Sequence, residues 1–179
     1  MNSKKFHQLS TKVQPELVEE IKETLANVEN SINEVINNNY VYTLQPKYIR
    51  ELLKDAGLPV TKYGFVKNKL IVKNNTQPLE IRFKKYYPRG HSSSFSEKQI
   101  HAIMLSEKHA EVFHKLAIKV LLQAGYVVID AGYFRLTVCL ENSEYLQNVQ
   151  YHRMKNIKQF SYTIHKPEQK SKTEEAHKI

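Results

Sequence analysis

The chain has 179 residues, 41% of them hydrophobic, and 27 lysines and arginines against 18 acids give it a formal net charge of +9. This length and apolar share suit one compact domain, and the single cysteine, Cys139, excludes an internal disulfide and a zinc site built on thiolates, which fits a reducing, cytoplasmic compartment. The start "MNSKKFHQLSTK" lacks the apolar core of a signal peptide, and the longest greasy stretch is broken by Lys115, Lys119, Gln123 and Asp130, so no membrane span is expected.

The predicted elements begin with a helix. Pro15 and Glu16 suit a first helical turn, after which Val18, Ile21, Leu25, Val28, Ile32 and Val35 recur at alternating spacings of three and four. That is the seam of a short amphipathic helix. It packs on its own domain or serves as a dimer or partner seam. A second helix starts near Pro46, carries Ile49, Leu52, Leu53 and Ala56 on one face, and stops at Gly57. It has the form of the first helix of a helix-turn-helix, yet Gly64 and the β-branched residues after it favour a turn and strands instead.

Two antiparallel hairpins are predicted beyond this point. In "LEIRFK", residues 79–84, Leu79, Ile81 and Phe83 fall on one face while Glu80, Arg82 and Lys84 fall on the other, with "KLIVK", 69–73, as partner strand. The strand should stop near Lys84 or carry a bulge there, since continued register would send Lys85 inward. Ser94 or Ser96 caps a long central helix running to Gly125, and "SEK" at 106–108 offers a second cap that would divide it into two helices at an angle. The second hairpin, "YVVID-AG-YFRLTVCL", turns at Ala131-Gly132, is apolar on both faces and should be central. Ser143 caps a further helical stretch to Met154, "FSYTI" closes the fold as a strand, and residues 166–179 have the composition of a disordered basic tail. The fold class is α+β: a flexible basic N-terminus over 1–12 and a single domain over 13–165, helical in 13–57 and mixed hairpin and helix in 58–165.

Charge is the most informative pattern. Residues 62–95 hold eight basic residues, Lys62, Lys67, Lys69, Lys73, Arg82, Lys84, Lys85 and Arg89, against Glu80 alone, whereas residues 13–36 are net acidic. Such localisation points to a polyanionic partner. Within "RFKKYYPRGHSSSF", alternation carries Arg82, Lys84 and Tyr86 to the solvent face, so that cations for phosphates lie beside a ring on which a base can stack. The loop that follows supplies Arg89, His91, Ser92, Ser93 and Ser94 at a helix N-terminus, where an anion can be held.

Catalytic signals are absent from the sequence. It has no glycine-rich phosphate loop and no GxSxG elbow. His109 and His114 lie five apart and His101 eight before His109, spacings that do not gather ligands on one helical turn, so no metal or other cofactor is expected. Cys139 sits among apolar neighbours and reads as a small buried hydrophobe. The sequence reading is therefore a small non-enzymatic protein that binds DNA or RNA, a regulator or accessory factor of a phage or another mobile element. The alternative is an interaction module or inhibitor that docks on a nucleoprotein complex, as a dimer through the 18–35 seam.

Overall fold

The computed structural model of the chain describes residues 44–64, 67–73, 78–90, 94–154 and 162–167, together with Glu19, Lys22, Glu23 and Ala26. The seam residues Val18, Ile21, Leu25, Val28, Ile32 and Val35 and the tail from 168 lie outside the described residues. In chain order the elements are helix α1 (Pro46–Asp55), strands β1 (Val60–Thr61), β2 (Lys69–Val72) and β3 (Leu79–Lys84), helix α2 (Glu97–Gln123), strands β4 (Val127–Asp130) and β5 (Arg135–Cys139), helix α3 (Glu144–Met154) and strand β6 (Thr163–His165).

The strands form one mixed sheet in the order β1-β2-β3-β5-β4-β6, and the fold is α+β. Among the described strands only β1 and β2 run parallel, with Val60 opposite Leu70; the other pairings are antiparallel. The pairs β2/β3 and β4/β5 are neighbours in sequence, but they are not separate hairpins. Leu79 lies opposite Val138 and Arg82 opposite Arg135, which fuses the two pairs into a continuous sheet. No recognition helix follows α1; β1 takes its place after Leu58 and Pro59.

Alternation along β3 explains how the layers form. Leu79, Ile81 and Phe83 point to one face and are buried beneath α1 and α2, where each such side chain stabilises the fold by about 1.5–3 kcal/mol. Helix α1 contributes Ile49, Leu52, Leu53 and Ala56 to the same core, as its sequence spacing requires. Helix α2 adds Ala110, Phe113, Leu116, Ala117, Val120 and Leu121, and the Phe113 ring lies 6.1 Å from that of Phe83. On the opposite face Leu146 of α3 packs with Val127, Ile129 and Cys139. The Tyr162 hydroxyl donates to the Val149 carbonyl at 2.7 Å and ties the approach to β6 onto this helix.

Helix α2 opens on a reciprocal capping box. The Gln99 N–H donates to Ser96 Oγ at 3.3 Å, and the Ser96 N–H donates to Gln99 Oε1 at 2.8 Å. The helix then runs unbroken for 27 residues, so the second cap expected at Ser106 does not divide it. Ser106 is instead fully buried, with its hydroxyl turned toward the sheet rather than to its own backbone. Gly125, at φ +87°, reverses the chain after the helix and leads Tyr126 into β4.

Candidate nucleic-acid interface

Residues that alternate with the core positions build the other face of β2, β3 and β5. It carries Lys69, Ile71 and Lys73 from β2 and the residue after it, Glu80, Arg82 and Lys84 from β3, and Arg135 and Thr137 from β5. Of the helices described, only α3 contributes to this side, and its buried contacts are with β4 and β5. Cross-strand register sets like charges directly opposite each other, Lys69 against Lys84 and Arg82 against Arg135. Such pairs are unfavourable in a sheet. Lys69, Lys84 and Arg135 are exposed and have no acidic partner among the described residues.

Glu80 is the acid in the middle of this face. Its Oε2 accepts from Lys73 Nζ at 2.8 Å and from Arg82 Nη2 at 2.8 Å and Nε at 3.1 Å. The hydrogen bond from Lys73 holds the carboxyl below the usual glutamate range; partial burial opposes this, and Arg82 adds to it. Two of the predicted cations are therefore partly neutralised within the protein. At the border with α3, burial pushes the Tyr145 phenol up against a hydrogen bond with Thr137.

A second group of residues lies where β2 begins and β3 ends. Asn68 takes the left-handed conformation, at φ +57°, and its N–H donates to the Lys84 carbonyl at 2.6 Å. Ser106 Oγ donates to Asn68 Oδ1 at 2.6 Å and accepts the Tyr86 N–H at 2.7 Å, so one buried hydroxyl joins α2 to the start of one strand and the exit of the next. This corrects the expected position of Tyr86. The strand ends at Lys84, Tyr86 is drawn to the helix, and its half-buried ring lies 4.9 Å from the Lys67 ammonium, which also donates to the Tyr87 carbonyl at 3.1 Å. Lys85 pairs with Glu107 at 3.3 Å and lies 5.4 Å from the Phe134 ring centre.

The predicted cations thus divide by place. Lys69, Lys73, Arg82 and Lys84 share one sheet face, and Lys67 and Lys85 flank its end. Lys62 lies after β1 over the ring of Tyr63. Arg89 is exposed in the loop before α2, as is Ser94, while His91, Ser92 and Ser93 lie outside the described residues.

Sequence reasoning missed Arg135 and Tyr133. The turn between β4 and β5 is longer than the expected Ala131-Gly132 pair, because Gly132, Tyr133 and Phe134 all have positive φ, at +73°, +49° and +57°. Asp130 holds it from both ends of its carboxylate: Oδ1 accepts the Gly132 N–H at 2.8 Å and Oδ2 lies 2.9 Å from His114 Nε2. Cys139 is buried, and desolvation pushes its thiol up, which suits packing rather than nucleophilic use. Among the described residues, no three or more of His, Cys, Asp and Glu are gathered so as to hold a metal ion, and no helix is long and apolar enough to cross a membrane. No protein family, curated protein or solved structure compared with the chain matches it.

Proposed function

We propose that the protein binds nucleic acid through the β2-β3-β5 face, acting by binding rather than by catalysis. The observation that supports this most is the register that sets Lys69 opposite Lys84 and Arg82 opposite Arg135. Like charges placed opposite one another oppose sheet formation, and a polyanion laid across them converts that repulsion into attraction. A phosphate backbone has the required charge density. Arg135, exposed on this face, also offers a forked donor suited to phosphate oxygens. The role that fits such a surface is that of a regulator or accessory factor that engages DNA or RNA.

The test is titration of labelled oligonucleotides, single-stranded and duplex, at two salt concentrations. Affinity should fall steeply with salt, since each phosphate neutralised contributes a slope of roughly −0.7 to −0.9 in log K against log salt. Replacing Lys69, Lys84 and Arg135 together by Ala should weaken binding and flatten that slope while leaving each site's contribution to stability within about 0.5 kcal/mol. A triple variant that binds as tightly as the wild type at both salt concentrations would remove the proposal.

A further inference from the structure

The turn between β4 and β5 presents the most exposed aromatic side chain of the described residues in a backbone conformation that aromatic residues seldom adopt. Tyr133 is 99% exposed at φ +49°, between Gly132 and Phe134, which also have positive φ. A bulky residue in the left-handed region is disfavoured, and two in succession, Tyr133 and Phe134, persist only where the surroundings hold them. Here they do. Asp130 links the Gly132 N–H to His114 of α2, the His114 ring meets the Phe134 ring edge-on at 5.8 Å, and the Phe134 carbonyl accepts the Phe83 N–H at 3.1 Å. Lys85 lies over the same Phe134 ring. The turn is thus braced from the helix, from β3 and from within. All this anchoring ends in a ring that touches solvent.

The ring also stands at the cationic end of the sheet. Arg135 follows it by two residues and pairs across the strands with Arg82, while Lys84 and Lys69 form the next opposed pair toward the same end. We propose that Tyr133 is a stacking residue for an unpaired base, so that the surface takes single-stranded nucleic acid in preference to duplex. This rests on the reading of the face as a nucleic-acid surface and adds the substrate class to it. Sequence-tolerant stacking needs a flat ring held out from the surface beside cations that follow the backbone, because an unpaired base exposes a face that a duplex keeps covered. A turn backbone fixed in advance loses little freedom on binding.

The chain contains no tryptophan, so Tyr133→Trp installs a single indole reporter at the tip. Its emission should be quenched when a single-stranded oligonucleotide binds, and much less so with duplex. Tyr133→Asn removes the ring but keeps a residue that tolerates positive φ, so folding, checked by thermal melting, should be retained. Its single-strand affinity should fall about tenfold, with duplex affinity changed less than twofold. Binding itself is followed separately by anisotropy of a labelled oligonucleotide. If single strands bind with the indole emission unchanged, or if only duplex quenches it, the stacking assignment is overturned while nucleic-acid binding stands. If no oligonucleotide binds at all, the reading of the face fails and this assignment with it.

Discussion

A serine in the middle of a long helix ordinarily bonds its own backbone or faces water, but Ser106 does neither. Its hydroxyl is the shared partner of Asn68 Oδ1 and the Tyr86 N–H. Ser106→Ala would leave both part-buried groups without that partner, so stability should drop by about 1 kcal/mol, read from urea denaturation. Glu80 makes a second prediction, for pH. Lys73, and then Arg82, lower its folded-state pKa, so the stabilisation is present above the ordinary glutamate value and is lost as pH falls from there through the lowered one. Melting temperature measured against pH should therefore decline through that acidic window, and Glu80→Gln should flatten the decline. The same substitution releases Lys73 and Arg82 from their shared carboxylate.

Elements whose signals are local were legible in the sequence. Alternation from Leu79 to Lys84 located β3 and its inward face; Pro46 and Gly57 bounded α1; Ser94 and Ser96 were the two candidate starts of α2, of which Ser96 is the cap. Removing that cap by Ser96→Ala should cost about 1 kcal/mol, seen as a lower melting temperature with unchanged cooperativity. Features that depend on a distant partner were not legible. "SEK" at 106–108 carries the signature of a helix start, yet Ser106 is occupied by residues 38 and 20 positions away. Tyr86 was placed by extending an alternation past the last strand residue, and its actual position follows from that same hydroxyl. The two-residue parallel strand β1 is too short to leave a pattern. Arg135 read as an interior residue of the second hairpin's later strand, because its position opposite Arg82 depends on β3 and β5 meeting across all of α2. Tyr133 left no signal, since aromatic residues do not advertise positive φ in the way glycine does.

At the scale of the whole molecule, Cys139 is a built-in reporter. It is 1% exposed with its Sγ 3.7 Å from the Val127 carbonyl, between β4, β5 and α3. A thiol reagent should label it only as the sheet opens, so the labelling rate under native conditions should rise with denaturant in step with unfolding measured by circular dichroism. The order of the strands also has a consequence in time. Pairing within β2/β3 and within β4/β5 joins segments near in sequence, whereas β3 meets β5 only by closing a loop that contains α2. That closure must be largely complete before its own contacts reward it, which places it late and makes it slow. The late step is also the one that brings Arg82 against Arg135. A chain on its way to the native state therefore holds Lys69, Arg82 and Lys84 on one piece and Arg135 on another, and the proposed surface is complete only when the two have joined.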